Sequence, residues 1–400
     1  LHYPLRRQRQ MCIRDSFQGV DNFEGDWYHT GAWPHEGVDF SGKRVGLIGT
    51  GSTAIQATPV IAAEAEHLTV FQRTPNFSVP ARNAPLPADE AAEIKANYRD
   101  IRVRCRNSAN GFPFEMSERL ASDVSDEERR AIYDDLWEKG GFRFVAESFA
   151  DITIDEFANE TASNYIRDKI SEMVKDQDVA KLLMPFDHPY ATKRPPIDTD
   201  YYDTYNRDNV SLVDVRSAPI VEITNKGVKT EDNEYELDAI VFATGFDAMT
   251  GSLLKMNIKG VGGMRLEEAW EAGPRTYLGL QIAGFPNLFT ITGPGSPSVL
   301  TNMPVAIEQH VDWVTDCIKY LNSHGLTRIE AKDDAQEEWV EHVSEIADTT
   351  LYPKANSWYV GANVPGKSRV FMPYVGGLDL YKEKCAEVVD NNYAGFAVSN

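Results

Sequence analysis

The stretch Arg44-Val-Gly-Leu-Ile-Gly-Thr-Gly-Ser-Thr-Ala-Ile-Gln56 decides the fold of this 400-residue chain. Residues 45–48 form an apolar run of strand length, and a G-x-G-x-x-A turn at residues 49–54 follows it directly. Such a turn predicts a helix whose first N–H groups are free to bind phosphate. Residues 67–71 predict a second strand after that helix. The motif therefore stands in the β-α-β context that a dinucleotide-binding site requires.

The small residues of the turn have separate tasks. Gly49 lets the chain turn tightly, Gly51 lacks the Cβ that would keep a pyrophosphate away from the backbone, and Ala54 lets the helix pack closely on the strand. The predicted cofactor-binding residues of this unit are Gly49, Thr50, Gly51, Ser52, Thr53, Ala54 and Gln56.

The end of the second strand predicts which dinucleotide binds. NAD-binding folds usually place Asp or Glu about 20 residues beyond the motif, where it accepts a hydrogen bond from the ribose 2′-OH. This chain has Gln72-Arg73-Thr74 there instead. A carboxylate would repel a 2′-phosphate, whereas the Arg73 guanidinium and the Thr74 hydroxyl would bind it. The sequence therefore favours NADP, and the alternative is that Arg73 is an ordinary surface arginine.

Composition excludes several classes of partner. The formal net charge of −21 argues against a nucleic-acid or anionic-membrane partner. No apolar run approaches the ~20 residues of a membrane span, and no secretory signal is visible. Cys12, Cys105, Cys317 and Cys385 lack metal-ligand spacing, so we expect no metal site, no disulfide framework and a cytoplasmic location.

The first residues are expected to be foreign to the protein. Residues 6–16 resemble the translation of a transposon sequencing adapter, so residues 1–16 are excluded from fold reasoning. We therefore expect a genuine N-terminal segment to be missing. The alternative is a basic N-terminal arm.

The rest of the chain predicts an α/β protein with a helical insertion. Residues 80–190 carry apolar residues at helical spacing among many charges, and the segment 208–247 predicts strands, with a hairpin turn at residues 225–227. The last of these strands ends in Ala243-Thr244-Gly245. Residues 288–292 predict another short strand. A helix should follow it and end near His324, with apolar residues at Ile307, Val311, Val314, Ile318 and Leu321.

A spaced pattern before the glycine turn carries a family resemblance. The pattern F-x-G-x-x-x-H-x-x-x-W-P is formed by Phe23, Gly25, His29, Trp33 and Pro34. It resembles the fingerprint of Baeyer–Villiger monooxygenases, flavoenzymes that insert one oxygen atom of O2 beside a ketone carbonyl. The resemblance is closest to the branch typified by phenylacetone and cyclohexanone monooxygenases. It implies a structural or gating role for His29, which alone would be read as a polar turn residue.

The resemblance also implies an architecture and two cofactors, FAD and NADP(H). It implies a two-dinucleotide-binding flavoprotein in which residues 17–246 form a Rossmann-like NADP domain with a helical insertion at about 80–190. Residues 247–400 would then be the C-terminal part of an FAD domain whose N-terminal part is missing. No second glycine motif and no aspartate beside the catalytic arginine can be located, so the chain as written is expected to bind FAD poorly.

Roles for individual residues follow from the same resemblance. Arg194, in Lys193-Arg194-Pro-Pro, would be a buried guanidinium that holds a flavin peroxide as an anion and supports its attack on the ketone, and Lys193 would contact the cofactor phosphate. Without the resemblance, both would be ordinary solvated cations in a loop that the prolines keep out of a helix.

Further assignments lie in the C-terminal part. Met303 would touch FAD at a helix N-terminus, whose positive partial charge favours an anionic reduced flavin. Trp358 would contact NADP from a mobile loop flanked by residues 361–366, although a tryptophan is more often a core residue. The implied substrate-pocket residues are Ser298, Val299 and Leu300.

The sequence therefore predicts an NADPH- and FAD-dependent monooxygenase that converts a small ketone and O2 into an ester or lactone. Three alternatives stay open. A flavin monooxygenase acting on nitrogen or sulfur would share the glycine turn but would be expected to lack Trp33-Pro34. A plain NADP-dependent dehydrogenase would need no flavin, and a non-catalytic NADP-binding fragment would bind without turnover. The ketone and the oligomeric state do not follow from the sequence.

Overall fold

The computed structural model describes residues 17–400, so the adapter-like residues 1–16, with Cys12, lie outside the described residues. Two compact units are present. Unit 1 contains the described chain up to Asn83 together with Met116–Asp247, and unit 2 contains Ala84–Glu115 together with Ala248–Asn400. The expected insertion at about 80–190 is thus divided, because residues 84–115 belong to unit 2.

Unit 1 is built on a parallel sheet of the Rossmann type. Its five strands run in the order β1-β10-β2-β3-β6, and every neighbouring pair is parallel. The strands are β1 Asp26–His29, β2 Arg44–Ile48, β3 His67–Gln72, β6 Val210–Asp214 and β10 Ala239–Phe242. Val45, Leu47 and Val70 are fully buried, as expected of strands covered on both faces. Helix α1, Ser52–Glu64, connects β2 to β3 and completes the predicted β-α-β unit.

The remaining helices of unit 1 begin at side-chain caps where the sequence offers them. Ser125 accepts a hydrogen bond from the Glu128 N–H, and Asp155 accepts one from Ala158. Each cap satisfies one of the N–H groups that a helix start leaves open. These helices are α4 Asp126–Lys139, α5 Arg143–Glu147, α6 Glu156–Met173, α7 Gln177–Leu183 and α8 Tyr201–Thr204. Helices α2 Ala88–Ala96 and α3 Tyr98–Asn107, which precede them in the chain, belong to unit 2.

Two small sheets complete unit 1. The pair β4 Val79–Pro80 and β5 Ile197–Asp198 is parallel. The strands β7 Ile220–Ile223, β8 Gly227–Thr230 and β9 Glu234–Glu236 form an antiparallel sheet. The turn between β7 and β8 confirms the predicted hairpin at residues 225–227.

Unit 2 is mainly helical. Its other helices are α9 Gly251–Leu254, α10 Leu266–Ala269, α11 Met303–Ser323, α12 Asp333–Asp348 and α13 Leu378–Asp390, and β11 Arg328–Ala331 pairs antiparallel with β12 Phe396–Ser399. Short 3₁₀ turns in the two units are Val20–Asn22, Thr30–Ala32, Ala121–Asp123, Val261–Gly263, Ser298–Leu300, Tyr352–Lys354 and Trp358–Val360.

Helix α11 confirms the predicted helix. Of its predicted apolar residues, Ile307, Val311 and Ile318 are exposed, Val314 is half-buried and Leu321 is buried. The buried face carries Ala306, His310, Trp313, Cys317 and Leu321. A histidine and a cysteine thus complete a face that apolar spacing alone does not reveal.

The predicted strand at residues 288–292 is wrong. No strand is assigned there, and Asn287 and Thr292 have φ of 59° and 52°, outside the β region. The Thr290 N–H donates to the Leu280 carbonyl at 2.8 Å, so its partner lies in a turn and not in a sheet.

Across residues 17–400, no helix is long and apolar enough to cross a membrane.

Candidate functional site

The glycine turn of unit 1 has the geometry that phosphate binding requires. Gly49 has φ of 121°, and a Cβ there would lie 2.4 Å from the Ala243 carbonyl oxygen at the end of β10. Only glycine fits this position without a shift of the backbone. A Cβ on Gly51 would meet nothing within 4 Å, so the space above this residue is open. Helix α1 starts with no side-chain cap, which leaves its first N–H groups available to an anion.

The other residues of the turn fix it to the sheet or face outward. The Thr50 hydroxyl donates to the Thr74 carbonyl at 2.6 Å, which ties the turn to the segment after β3. Ala54 is buried against the core, as predicted for close helix packing. Ser52 is half-buried, Thr53 is exposed, and the exposed Gln56 donates to the Ile197 carbonyl at 3.4 Å.

Two arginines meet at the carboxyl edge of the sheet. Arg73 follows β3 and Arg216 follows β6, and these two strands are parallel neighbours. Arg216 donates from Nε to the Arg73 carbonyl at 3.1 Å and from Nη2 to the Thr74 hydroxyl at 3.3 Å. It also donates from Nη2 to the Asp187 carboxylate at 2.9 Å. The two predicted 2′-phosphate residues, Arg73 and Thr74, thus lie beside a third group that the sequence reading missed.

Lys193 adds another positive charge to the same cluster. Burial lowers the pKa of its ammonium group, and the charges of Arg73 and Arg216 lower it further, whereas Asp187 raises it. For Asp187, burial works against ionisation, but the hydrogen bond with His188 and the charge of Lys193 outweigh burial and hold the carboxyl pKa below its usual range. We call Arg73, Lys193, Arg216 and Asp187 the edge cluster.

A sequence signal for Arg216 and Asp187 was present but indirect. The strand that became β6 was predicted, and its neighbour β3 carries Arg73. Parallel neighbours end at the same edge of a sheet, so the residues after β6 lie close to Arg73 once β3 and β6 are known to be neighbours. Asp187 gives no such signal, because it reaches the cluster from the end of the helical segment.

Arg194 differs from the expectation of a buried guanidinium, because it is exposed here. The corner after it is firmly held, since the Pro196 carbonyl accepts hydrogen bonds from the Val79 N–H and the Ser78 hydroxyl, both at 3.2 Å. The prolines therefore anchor the chain that carries Lys193 and Arg194.

His29 of the fingerprint is the last residue of β1 in unit 1. Its side chain is buried, and its Nδ1 accepts a hydrogen bond from the Gly31 N–H at 3.0 Å, capping the turn that follows β1. Its ring packs edge-on against Phe246 at 5.8 Å. A Cβ on Gly25 would lie 2.5 Å from the Asp238 carbonyl, so the fingerprint glycine allows β1 to approach β10.

The remaining fingerprint residues pack nearby in the same unit. Phe23 is buried, and the Trp33 ring lies 5.7 Å from Tyr28 and 6.2 Å from Phe40 although the indole is partly exposed. The Pro34 carbonyl accepts a hydrogen bond from the Gly37 N–H at 3.2 Å.

The predicted substrate-pocket residues lie in a strained segment of unit 2. Ser298 begins the 3₁₀ turn Ser298–Leu300 with φ of 44°, while Thr292 and Leu278 have φ of 52° and 58°. The Ser298 hydroxyl donates to the Thr292 carbonyl at 3.2 Å. Non-glycine residues with positive φ cost about 1–3 kcal/mol each and cluster at functional sites.

A buried histidine holds this segment. His310 on α11 is fully buried, and its Nδ1 accepts a hydrogen bond from the Thr292 N–H at 2.9 Å. Its Nε2 therefore carries the proton and donates to the Tyr381 hydroxyl at 2.9 Å. The Tyr381 hydroxyl donates onward to the Leu278 carbonyl at 2.5 Å. Burial lowers the pKa of His310 to about 4, which keeps the ring neutral.

Met303 and Trp358 also belong to unit 2. Met303 is the first residue of α11, and the preceding Asn302 provides no side-chain cap, so the positive end of the helix dipole is not offset there. Trp358 is half-buried in a 3₁₀ turn, with its ring centre 4.4 Å from that of Tyr359. Gly361 follows in the left-handed conformation. Among residues 17–400, no group of three or more His, Cys, Asp or Glu could hold a metal ion.

No model of a known protein family matches the chain. Characterised relatives do. The chain is 45% identical over 379 residues to a Baeyer–Villiger monooxygenase of Pseudooceanicola batsensis, covering 94% of this chain and 69% of the relative. It is also 45% identical over 380 residues to the phenazine N-monooxygenase PhzNO1 of Lysobacter antibioticus, with the same 94% and 69% coverage.

Solved structures give the same result. An oxidized steroid monooxygenase bound to NADP matches with a TM-score of 0.90 and 52% identity, covering 96% of this chain and 72% of that one. A complex of OTEMO with FAD and NADP matches with a TM-score of 0.93 and 40% identity over the same shares. The fold is that of a two-dinucleotide-binding flavoprotein. The chain therefore belongs to the Baeyer–Villiger monooxygenases, the FAD- and NADPH-dependent enzymes that convert ketones into esters or lactones.

Proposed function

We propose that this chain binds NADPH through unit 1 and serves the insertion of one oxygen atom of O2 next to the carbonyl group of a small ketone. The observation that carries the proposal is the edge cluster beside an open glycine turn. Family membership supplies the reaction, and the cluster supplies the choice of dinucleotide.

The residues of unit 1 fit a 2′-phosphorylated dinucleotide. The first N–H groups of α1 are uncapped, and the space over Gly51 is open to a pyrophosphate. Arg73, Thr74 and Lys193 would bind the 2′-phosphate, because the exposed guanidinium and the ammonium group both lie at the sheet edge. Ser52, Thr53 and Gln56 would line the approach to the helix N-terminus.

Unit 2 fits an electron-rich ring at the start of α11. The uncapped helix end at Met303 carries a positive partial charge, which would stabilise negative charge on a flavin. FAD, when bound, supplies the activation of O2. We propose that Ser298, Val299 and Leu300 line the substrate pocket and that Trp358 contacts NADP.

Arg194 would act on charge that develops during the reaction. Its guanidinium is exposed and is not paired with any carboxylate of the described chain, so its positive charge remains available. A fixed cation beside a carbonyl under attack offsets the negative charge that forms on its oxygen. His29, being buried and bonded to the turn after β1, would hold the fingerprint segment and take no part in proton transfer.

Dinucleotide binding tests the first half of the proposal. Calorimetric titration of the 400-residue chain should give at least about tenfold tighter binding of NADP⁺ than of NAD⁺, as expected for charge-assisted hydrogen bonds to a phosphate. Arg73→Ala should remove most of this preference. Arg207→Ala, at an exposed arginine whose side chain bonds only Asn209, is the matched control. Equal affinities in the unmodified chain would contradict the proposal.

A second candidate is oxygenation of nitrogen, because one relative at 45% identity is a phenazine N-monooxygenase. Product analysis separates the two. With FAD supplied in large excess, because the chain is expected to bind it poorly, NADPH and O2 should give a lactone from cyclohexanone, and an N-oxide from phenazine as the sole product would favour the second candidate. NADPH-dependent reduction without flavin would instead indicate a dehydrogenase.

The partners proposed are thus a small ketone and O2. We also propose a cytoplasmic location, which is supported by the free thiols of Cys105, Cys317 and Cys385. The high negative charge supports the expectation that nucleic acid is not a partner.

A further inference from the structure

Arg216 connects three segments of unit 1 at the sheet edge. Its Nε bonds the Arg73 carbonyl, and its Nη2 bonds the Thr74 hydroxyl and the Asp187 carboxylate. The first two bonds fix the backbone and side chain of the pair that would select a 2′-phosphate. Arg216 therefore holds those groups in place without being adjacent to them in sequence.

The stability that this arrangement contributes is small. The Arg216 side chain is 52% exposed and that of Asp187 is 33% exposed. Ion pairs this exposed contribute about 0–1 kcal/mol. Against that gain stands the repulsion among the three cations of the edge cluster, because Arg73 and Arg216 add to the lowering of the Lys193 pKa that burial mainly causes. A gain in folding stability therefore does not explain the presence of a third cation at this edge of the sheet.

The charge balance of the edge cluster indicates a ligand. Three cations face the Asp187 carboxylate, and Asp214 adds a second carboxylate beside Arg216, in a chain whose net charge is −21. About one positive charge therefore remains in excess at this edge, and a phosphate monoester carries about −1.5 to −2 at neutral pH. A single 2′-phosphate would offset this excess.

The hydrogen bonds within the edge cluster leave donor groups available for a phosphate. The Thr74 hydroxyl accepts from Arg216, and the Thr74 carbonyl accepts from Thr50, so the Thr74 O–H proton remains available for an incoming oxygen. Within residues 17–400, Nη1 of Arg216 makes no hydrogen bond, while Asp187 fixes the guanidinium through Nη2.

We propose that Arg216, oriented by Asp187, determines selectivity for the 2′-phosphorylated dinucleotide by orienting Thr74 as a donor, fixing the backbone of Arg73 and adding the third positive charge. This inference rests on the proposed NADPH site and assigns to it a residue that the family resemblance did not supply.

The test is a titration of the purified 400-residue chain with NADP⁺, NAD⁺, 2′,5′-ADP and 5′-AMP. Arg216→Gln should weaken the binding of NADP⁺ and 2′,5′-ADP roughly tenfold to hundredfold, the range expected for losing charge-assisted hydrogen bonds. The affinities for NAD⁺ and 5′-AMP should change by no more than about twofold. Arg216→Lys keeps the positive charge but cannot bond Arg73 and Thr74 at the same time. Its affinity for NADP⁺ should therefore lie between that of the unmodified chain and that of Arg216→Gln.

Controls separate selectivity from folding. Arg207→Gln replaces an exposed arginine just before β6 whose side chain, within residues 17–400, bonds only Asn209, and it should leave the affinity for both dinucleotides unchanged. The thermal midpoint of each ligand-free variant should match that of the unmodified chain. The double variant with Arg73→Ala and Arg216→Gln should lose less free energy of NADP⁺ binding than the sum of the losses in the two single variants, because both side chains act on one phosphate.

The outcomes distinguish the two proposals. If the unmodified chain does not prefer NADP⁺ over NAD⁺, the proposed function fails. If it prefers NADP⁺ and Arg216→Gln keeps that preference, or weakens both dinucleotides equally, the role of Arg216 fails while the NADPH site stands.

Discussion

The glycine turn of unit 1 and the segment around Ser298 in unit 2 both bend the backbone sharply, but by different means. Gly49 takes φ of 121° with no Cβ to strain, and its neighbours in sequence explain the turn. Thr292 and Ser298 take positive φ with full side chains. Their conformation is held by His310, 18 positions beyond Thr292, and through it by Tyr381, a further 71 positions on.

The difference separates local from distant determination of shape. A turn whose shape depends on glycines forms whenever the flanking strand and helix form. The stability of the turn and its contacts with a ligand can therefore be changed independently. A turn imposed on threonine and serine exists only while the distant hydrogen bonds persist. Its shape should therefore respond to substitutions, and to pH, at residues remote in sequence.

The largest effect should come from Gly49→Ala. The new Cβ would meet the Ala243 carbonyl at 2.4 Å and occupy a φ that alanine avoids, so the free energy of unfolding should fall by at least about 3 kcal/mol. Gly51→Ala is the matched control, with open space and φ of −83°. It should keep the thermal midpoint but weaken NADP⁺ binding in calorimetry. Equal destabilisation by both substitutions would mean that the stability and the ligand contacts of the glycine turn cannot be changed independently.

The next effect is a pH dependence located at His310. Its pKa is about 4 in the folded protein against an ordinary 6.5, so only the unfolded state gains a proton as the pH falls below 6.5. The stability from the neutral ring is complete above pH 6.5 and is lost as the pH falls towards 4, by up to about 3 kcal/mol. Protonated Nδ1 can no longer accept from the Thr292 N–H.

Hydrogen exchange of peptides spanning residues 288–300 would measure this loss. Protection should decrease between pH 6.5 and 4 after correction for the intrinsic exchange rate. In His310→Gln the same peptides should lose that part of the pH dependence, because glutamine does not titrate. Identical pH profiles in the two proteins would mean that His310 does not control the segment.

Tyr381→Phe should have a smaller effect on the same segment. It leaves the Leu278 carbonyl and the His310 Nε2–H buried without their partner, at a cost of about 1–3 kcal/mol. Tyr374→Phe is the matched control, because Tyr374 is also a buried residue, its ring lies 5.9 Å from that of Tyr381, and its hydroxyl makes no hydrogen bond in the described chain. Urea unfolding should separate the two variants, and equal midpoints would contradict a stabilising role for the hydrogen bonds of the Tyr381 hydroxyl.

These contrasts explain what the sequence could predict. The unit from β2 to β3 was predicted because strand, glycine turn and helix are determined by adjacent residues. Residues 288–292 were assigned wrongly because the alternation of apolar residues and threonines gives no sign that the Thr292 N–H bonds a distant histidine. The buried face of α11 does not follow from apolar spacing alone, because its centre is His310, a residue type that periodicity counts as polar.

The candidate site divides in the same way. Arg73 and Thr74 follow a motif at fixed spacing, so their position after β3 was predictable. Arg216 could be placed beside Arg73 only once the order of the strands in the sheet was known. The solvent exposure of Arg194 also depends on its surroundings in space, which is why its side chain did not match the expected burial.

The smallest expected effect concerns Ser298, where strain and hydrogen bonding oppose each other. Ser298→Ala loses the hydrogen bond to the Thr292 carbonyl and keeps φ of 44°, so the free energy of unfolding should fall by about 1 kcal/mol. Ser298→Gly loses the same bond but relieves the backbone, a gain of about 1 kcal/mol that should leave stability nearly unchanged. Urea unfolding of the two variants measures the difference directly. Glycine stabler than alanine would mean that the backbone at Ser298 is strained, whereas alanine stabler than glycine would mean that the segment relaxes without cost and that the contrast with Gly49 lies only in residue type.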